Sequence, residues 1–289
     1  MFFKLKKIVK NGKVLKNEPL KNHTSFRIGG KAKFVVMPSS FEELINLLMY
    51  LNKKNVKYYV LGNGTNVLAS DNGFKGVVIK LTLLNQIRLY KTYLQVFCGA
   101  SLSAVCLFLR QHDLGGFEDA FGIPGTIGGA VKMNASAYNF ETGKLVLGVL
   151  AIVDGNVKYL NHDECGFGYR KSMFKNAIIL SVDFAITKGC NAKRMEEVIA
   201  LRKTFQPLNL PSAGSVFKRA DGVPVSKMLD ELGFKGKSVG GAKVSEKHAG
   251  FIVNFNNATE HDVKKLIAEI KAEVYKTKGI ILEEEIKFF

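Results

Sequence analysis

The sequence has few cysteines, few acidic residues and no long apolar run, and each shortage excludes a class of protein. Four cysteines occur among 289 residues, which is too few for a small secreted scaffold held together by disulfides. They are widely separated, with no Cys-x-x-Cys pair and no histidine cluster nearby, so zinc-ligand spacing is absent. We therefore expect a reduced, cytoplasmic protein without a metal site.

A membrane location is not indicated. No stretch approaches the roughly 20 consecutive apolar residues that a spanning helix needs. Residues 1–8 carry lysines inside their apolar stretch, which does not fit a secretory signal peptide. We expect no membrane partner.

Acidic residues are outnumbered, because 25 Asp plus Glu face 42 Lys plus Arg and give a formal charge of +17 at pH 7. This excess suggests an anionic partner, such as nucleic acid, an acidic membrane surface or a phosphate-bearing small molecule. Nucleic-acid binding lacks its other signs, since there is no recognition-helix, zinc-finger or aromatic-platform pattern and the lysines are dispersed. We therefore expect no nucleic-acid partner.

Helix and strand patterns are mixed on both sides of a joint at Gly189 to Asn191. Ser40 with Glu43 predicts a capping box. Thr259-x-x-Asp262 is predicted to open a helix that ends at Gly279 and buries Val263, Leu266, Ile267, Ile270 and Val274. Strands are predicted at 57–61, 93–97, 177–186 and 215–218, with a last strand from Ile280 onward. This mixture predicts an α+β or α/β protein of two or three units.

Two glycine-rich loops have the composition of anion cradles. Residues 62–66 read Gly-Asn-Gly-Thr-Asn, which is neither a Walker A loop nor a Rossmann fingerprint, and alone they favour a plain turn. Residues 122–130 contain four glycines and run into a helix predicted from Ala130, whose free N–H groups would favour a phosphate. The two loops together suggest one ligand with a pyrophosphate between them.

The chain resembles the UDP-N-acetylenolpyruvoylglucosamine reductase family from about residue 20 to its end. The two glycine-rich loops are similar to the family's two FAD-pyrophosphate loops. Other matching segments lie at 23–30, 168–175, 206–218 and 240–254. The short stretch between Tyr169 and Ser215 resembles the shorter form of the family, which lacks an extra tyrosine-bearing loop.

The resemblance implies a flavin-dependent NADPH reductase. NADPH would reduce FAD and leave, and the enolpyruvyl ether of a UDP-sugar would then accept the hydride. UDP-N-acetyl-3-O-(1-carboxyvinyl)glucosamine would thereby become UDP-N-acetylmuramate for peptidoglycan. The first loop has no histidine for covalent linkage, so the FAD is expected to be noncovalent. The working unit is expected to be a monomer.

The resemblance also implies an α+β fold with two domains. A two-part FAD-binding domain of the PCMH (vanillyl-alcohol-oxidase-like) type would span residues 1–189, with subdomains at about 1–82 and 83–189. A smaller α+β substrate-binding domain would span residues 190–289, and its last strand would return to the active site.

Three side chains match the family's catalytic positions. Arg170 would hold the substrate carboxylate, because its planar fork binds a carboxylate bidentately. Ser215 would donate the proton, and Glu285 would be its acid partner. In the predicted last strand Glu283 and Glu285 share one face while Glu284 takes the other.

Ligand-binding residues follow from the same motifs. Tyr169 and Lys218 are expected to bind substrate. The expected FAD-binding residues are Gly62, Asn63, Gly64, Thr65, Asn66, Gly122, Pro124, Gly125, Thr126, Gly128, Gly129 and Ala130.

Some positions depart from the family, and one alternative stays open. Lys287 stands where many members carry Arg, and Arg219-Ala220-Asp221 replaces a common Asn-Pro. His248 fits either a ligand-facing or a structural role. The alternative is another FAD oxidoreductase with a different substrate domain. The matching segments 206–218 and 240–254 argue against it.

Overall fold

A computed structural model describes residues 1–220 and 222–289; Asp221, one of the departures from the family pattern, lies outside the described residues. The helices are α1 (Phe2–Ile8), α2 (Phe41–Lys53), α3 (Leu102–Gln111), α4 (Ile127–Met133), α5 (Thr142–Leu145), α6 (Ala192–Phe205), α7 (Val225–Glu231) and α8 (Glu260–Lys278). The strands are β1 (Lys13–Pro19), β2 (Lys31–Met37), β3 (Tyr58–Leu61), β4 (Val67–Leu68), β5 (Phe74–Lys80), β6 (Ile87–Leu89), β7 (Tyr93–Phe97), β8 (Leu114–Gly115), β9 (Ser136–Ala137), β10 (Phe140–Glu141), β11 (Val146–Val153), β12 (Asn156–Asn161), β13 (Ile178–Ala185), β14 (Thr187–Lys188), β15 (Ser212–Ser215), β16 (Ser238–Val239), β17 (Ala242–Val244), β18 (Phe251–Asn254) and β19 (Lys287–Phe288).

Two compact units, each assembled from three stretches of chain, make up the structure. Unit 1 comprises residues 1–15, 35–63 and 78–201, and unit 2 comprises residues 16–34, 64–77 and 202–289. Strands β1, β2 and β5 each contain a point where the chain passes from one unit to the other; with β3 they form a sheet in the order β1-β2-β5-β3. The predicted domains at 1–189 and 190–289 stay predictions.

Unit 1 is built on an antiparallel sheet in the order β12-β11-β13-β7-β6. Val149, Val182 and Val96 lie side by side across its three central strands and are fully buried. The β11–β12 hairpin turns at Asp154-Gly155, and both residues have positive φ (50° and 80°), as a two-residue turn requires.

Unit 2 contains the antiparallel sheet β15-β18-β17-β16, with α8 packed against β16 and β17. Thr259 and Asp262, predicted to open α8, form a capping box with N···O distances of 3.0 and 3.1 Å, and Gly279 ends the helix at φ 69°. The buried face of α8 is the predicted one: Val263, Leu266, Ile267, Ile270 and Val274. Each such side chain stabilises the fold by about 1.5–3 kcal/mol when fully buried.

Three local predictions are wrong. Ser40 caps α2 by accepting the Glu43 N–H, but the Glu43 carboxylate accepts from Ser39 and Asn11 instead of completing the box. The strand predicted near 215–218 is found at Ser212–Ser215, because the chain from Phe217 onward pairs with the terminal segment at Glu284 and not with β18. The last strand is Lys287–Phe288, not a segment beginning at Ile280, since its pairing partner is the distant strand β4.

Candidate functional site

The second glycine-rich loop is anchored to unit 1 through the first amides of α4. Helix α4 begins at Ile127, with Thr126 as its N-cap, not at Ala130 as predicted. The N–H groups of Ile127 and Gly128 donate to the carbonyls of Ala100 and Cys98, each at 2.8 Å. These two amides therefore donate to backbone carbonyls of the protein itself. The prediction that the helix, with its free N–H groups, begins at Ala130 is wrong, because α4 begins three residues earlier.

Gly128 and Gly129 differ in what surrounds them. A Cβ on Gly128 would lie 3.0 Å from the Cβ of Cys98, so close packing requires glycine there. A Cβ on Gly129 would meet only the Thr126 Oγ1, at an ordinary 3.5 Å. Gly in a helix costs up to about 1 kcal/mol relative to Ala, and packing within the unit does not explain that cost at Gly129. The open space before Gly129 fits the close approach of a bound group.

The first glycine-rich loop touches the second. A Cβ on Gly62 would lie 2.4 Å from the Oγ1 of Thr126, so only glycine lets these two loops meet within unit 1. In unit 2, Gly64 has a φ of 68°, and a Cβ on it would lie 2.2 Å from the His23 carbonyl oxygen. Both positions thus require a residue without a side chain.

Ser25 ties the first loop to the strand that carries Ser215. Its N–H donates to the Gly64 carbonyl at 3.0 Å, and its hydroxyl donates to the Ser212 carbonyl at 2.6 Å. All of these residues belong to unit 2. Sequence reasoning included Ser25 in the matching segment 23–30 and did not find this bridging role.

Asn66 attaches the same loop to the end of the chain. Its side-chain amide donates to the Glu285 carbonyl at 3.3 Å, and its own carbonyl accepts from the Lys287 N–H at 3.0 Å. Strands β4 and β19 continue this contact as a parallel pair. Asn66 was predicted to bind cofactor; its amide in this structure positions the backbone of Glu285.

Ser215 and Glu285 lie on neighbouring segments of unit 2. Ser215 pairs with Phe251 across β15 and β18, and the next residue, Val216, accepts the Glu285 N–H at 2.7 Å. An antiparallel bridge between Phe217 and Glu284 extends this alignment. The strand-end serine and the terminal glutamate are therefore brought to adjacent positions.

The three consecutive glutamates have separate environments. Glu283 forms an ion pair with Lys218, and this pairing holds the pKa of the Glu283 carboxyl below its usual range. Glu284 accepts from the Lys271 ammonium at 2.9 Å. Glu285 is half-buried. Lys218, predicted to bind substrate, thus has a carboxylate partner in this structure.

Arg170 lies in unit 1, on a tight turn. Its φ of 52° is left-handed, an uncommon conformation for a residue with a side chain and one that clusters at functional sites. Its guanidinium lies 5.3 Å from the Tyr169 ring centroid and donates to the Ser136 hydroxyl and, at 3.3 Å, to the Ser136 carbonyl. Asn134 supports the turn by donating to the Gly168 carbonyl at 3.0 Å.

Ser136 and Asn134 were missed by the sequence reasoning, because they act through tertiary contacts. Asn134 could have been found as a helix C-cap, since it adopts φ 44° at the end of α4. Unit 1 therefore holds Tyr169, Arg170, the second loop and the start of the first. Unit 2 holds Gly64 to Asn66, Ser215, Lys218 and Glu285.

The described residues contain neither a metal-ligand cluster nor a membrane-spanning helix. No group of three or more His, Cys, Asp or Glu side chains there could hold a metal ion. Within the same residues, no helix is long and apolar enough to cross a membrane.

Family models match both parts of the chain. A model described as "FAD binding domain" matches residues 32–157. A second, "UDP-N-acetylenolpyruvoylglucosamine reductase, C-terminal domain", matches residues 206–289. The curated UDP-N-acetylenolpyruvoylglucosamine reductase of Caldanaerobacter subterraneus subsp. tengcongensis is 46% identical over 290 residues, covering 98% of this chain and 96% of that protein. The chain belongs to the UDP-N-acetylenolpyruvoylglucosamine reductase family.

Other members of the reductase family agree over nearly the full length. The Geobacillus kaustophilus reductase is 41% identical and covers 95% of this chain and 92% of its own. The crystal structure of the Thermus caldophilus reductase superposes with a TM-score of 0.82 at 31% identity, covering 96% of this chain and 99% of that one. The resemblance drawn from the sequence is confirmed.

The fold and cofactor predictions are confirmed with it. Berberine bridge enzyme from Eschscholzia californica shares the fold at a TM-score of 0.50 and 17% identity, covering 65% of this chain and 43% of that one. An α+β protein with an FAD-binding domain is the outcome predicted from the reductase motifs. The match to the FAD-binding model supports FAD, and the open face at Gly129 fits it.

Proposed function

We propose that Arg170, Ser215 and Glu285 carry the chemistry of an FAD-dependent reductase of peptidoglycan synthesis. The reaction is the NADPH-driven conversion of UDP-N-acetyl-3-O-(1-carboxyvinyl)glucosamine to UDP-N-acetylmuramate. Family membership supports the reaction. The observation that supports the residue roles is the alignment of Ser215 with the Glu285 segment through the 2.7 Å hydrogen bond at Val216.

Ser215 is the proton donor in this proposal. A serine hydroxyl is a weak acid, so it must be held against the accepting carbon and assisted by its surroundings. The Glu285 carboxyl, presented by the neighbouring segment, supplies that assistance. The Ser212–Ser25 hydrogen bond at 2.6 Å fixes the other end of β15. Ser215 therefore lies on a strand that is held at both ends.

Arg170 holds the substrate carboxylate as negative charge develops on it. A guanidinium suits this role because it is planar, permanently charged and able to bind bidentately. The contacts with Ser136 and the Tyr169 ring orient the guanidinium plane. Orientation before substrate arrives lowers the cost of reorganisation during the reaction.

Lys218 and Tyr169 bind the UDP-sugar in this proposal. The Lys218–Glu283 pair is partly exposed, with 19% and 69% of the two side chains accessible. An exposed ion pair contributes about 1 kcal/mol or less. A substrate phosphate can therefore replace Glu283 as the partner of Lys218 at small cost.

FAD would be held by the two glycine-rich loops, where Gly62 and Gly64 allow the close packing of the first loop and Gly129 leaves space for a bound group. When bound there, FAD would supply the redox chemistry that carries hydride from NADPH to the substrate. Noncovalent binding follows from the absence of a histidine in the first loop. The reductase is proposed to act as a cytoplasmic monomer, and its four free cysteines suit a reducing compartment.

The test compares Ser215→Ala with Ser212→Ala, a serine of the same strand whose carbonyl, not its hydroxyl, accepts from Ser25. Both variants should bind FAD and show its absorbance. NADPH should bleach the flavin at the wild-type rate in both. Ser215→Ala should lower turnover of the enolpyruvyl substrate by about 10²- to 10⁴-fold, as expected for loss of general-acid catalysis.

Two outcomes would overturn parts of this proposal. Wild-type turnover by Ser215→Ala would remove the proton-donor assignment. A purified protein that gained no flavin absorbance on incubation with FAD would contradict the cofactor site itself.

A further inference from the structure

His248 lies in a closed turn between β17 and β18. The buried Ser245 hydroxyl accepts the N–H groups of Lys247 and His248 at 3.2 and 3.3 Å. The turn is closed by the Phe251 N–H, which donates to the His248 carbonyl at 3.0 Å, and by the Ser245 N–H, which donates to the Phe251 carbonyl at 2.9 Å. The backbone of His248 is therefore fixed.

The imidazole of His248 is connected to Ser215 through Gly250. The Nδ1 atom accepts the Gly250 N–H at 3.2 Å, and the Gly250 carbonyl accepts the Val216 N–H at 2.9 Å. The ring also packs edge-on against Phe251, with 4.9 Å between centroids, and Phe251 is the strand partner of Ser215. Val216, next to Ser215 in the chain, and Phe251, its strand partner, are thus both linked to the His248 ring.

The ring and Gly250 fit each other closely. A Cβ on Gly250 would lie 3.1 Å from the His248 Cε1 and equally close to the Ser226 Cβ of α7. A side chain at residue 250 would therefore push the ring away from the Gly250 amide. This contact joins α7, the turn and β15 in unit 2.

We propose that neutral His248 is a positioning residue for Ser215, holding the backbone on which the proton donor lies through the acceptor Nδ1. This inference rests on the proposed role of Ser215. The neutral ring must carry its proton on Nε2, because Nδ1 accepts. Protonation would turn Nδ1 into a donor facing the Gly250 N–H, and the hydrogen bond would be lost.

The charges around the ring favour the neutral form. Burial lowers the pKa of His248 from its ordinary 6.5, and the Lys235 ammonium lowers it further, while the ring's own backbone carbonyl and Asp230 oppose these effects. Asp230 of α7 and Lys235, which follows that helix, form an ion pair at 2.6 Å, so the effects of their charges on the ring partly cancel. The Lys247 ammonium on the turn is engaged 3.0 Å from the Lys203 carbonyl.

The sign of the pH effect follows from the direction of this shift. A histidine whose pKa is lowered on folding stabilises the native state above pH 6.5, and that contribution is lost as pH falls through the lower folded value. Turnover should fall over the same acid range. NADPH-driven flavin reduction does not use Ser215 and should not fall with it.

The experiment compares His248→Asn with His248→Leu, two side chains of similar shape. The Asn amide oxygen can accept the Gly250 N–H and does not titrate, whereas Leu offers no acceptor. Both are measured as FAD-loaded protein, by stopped-flow flavin reduction with NADPH and by turnover of the enolpyruvyl substrate from pH 5 to 9.

His248→Leu should lower turnover by about 10- to 100-fold through misplacement of Ser215, with flavin reduction near the wild-type rate. Turnover by His248→Asn should stay within about 3-fold of wild type at pH 8, since one hydrogen bond of similar strength is kept. Its turnover should no longer fall at acid pH, because Asn does not titrate. Should the Leu variant fail to fold, the pH profile of His248→Asn still decides the matter.

Two results would overturn the inference. One is a turnover by His248→Asn that falls at acid pH in the same way as that of the wild type. The other is wild-type turnover by His248→Leu. In either case Ser215→Ala separates the causes: if that variant is inactive, only the role of His248 is wrong, and if it turns over normally, the proton-donor assignment has failed first.

Discussion

Gly128 and Gly129 are neighbours in α4, but they are glycine for different physical reasons. Gly128 packs on Cys98, where a Cβ would come within 3.0 Å of another Cβ. Gly129 faces open space apart from one ordinary contact with Thr126. The first glycine therefore serves the fold, whereas the second leaves space in which we propose that a ligand approaches the backbone.

Alanine at each position should separate these roles. Gly129→Ala should leave the apo protein as stable as wild type or up to about 1 kcal/mol more stable, because Ala favours a helix. Its FAD affinity should fall by 10-fold or more, which corresponds to about 1.4 kcal/mol. Gly128→Ala should lose about 1–3 kcal/mol of stability through overpacking.

Urea unfolding of the apo proteins and fluorescence titration with FAD measure the two quantities. Wild-type FAD affinity in Gly129→Ala would show that no ligand approaches that position. Unchanged stability in Gly128→Ala would show that the Cys98 contact relaxes freely.

Among the elements, α8 and the terminal segment differ most in how well their sequence predicts them. Helix α8 carries its own capping box, apolar stripe and glycine stop, all of which are local. Its opening at Thr259, its apolar stripe and its end at Gly279 were each predicted. The terminal segment contains one two-residue strand, and its conformation is set by Phe217 on one side and Val67 on the other. Such pairings join residues far apart in sequence, so local patterns cannot reveal them.

The same distinction holds for the candidate site. Ser215, Glu285 and Arg170 were predicted because family motifs surround them. Ser25 and Ser136 were not, since their significance lies in hydrogen bonds to Ser212 and Arg170. The supporting residues of a site are the part that a single sequence reveals least.

The register of the terminal segment can be tested on two adjacent glutamates. Glu285→Gln should lower turnover by about 10²-fold or more, because an acid group assisting Ser215 is lost. Glu284→Gln is the matched control. It should cost at most about 1 kcal/mol of stability, since the Glu284–Lys271 pair is partly exposed.

Steady-state turnover with saturating NADPH, alongside urea unfolding, distinguishes these outcomes. A larger loss of turnover in Glu284→Gln would place the functional carboxyl one residue earlier and reverse the assignment of faces.

Taken as a whole, the molecule carries a charge of +17, which its proposed site only partly uses. Of the 42 basic residues only seven are arginines: Arg27, Arg88, Arg110, Arg170, Arg194, Arg202 and Arg219. Dispersed lysines do not form the stripe that nucleic-acid binding needs. FAD, NADPH and the UDP-sugar are all anionic, so the net charge can assist their capture without specifying them.

This role predicts a particular dependence on salt. Charge screening shortens from about 10 Å at 0.1 M to about 3 Å at 1 M ionic strength. The value of kcat/KM for the UDP-substrate should therefore fall by about 10-fold over that range, as for electrostatically assisted capture. The kcat should change little, because Arg170, Ser215 and Glu285 act at short range on bound substrate. Equal kcat/KM at both salt concentrations would show that the net charge does not assist capture, and salt-dependent binding of duplex DNA would instead give the charge a nucleic-acid role.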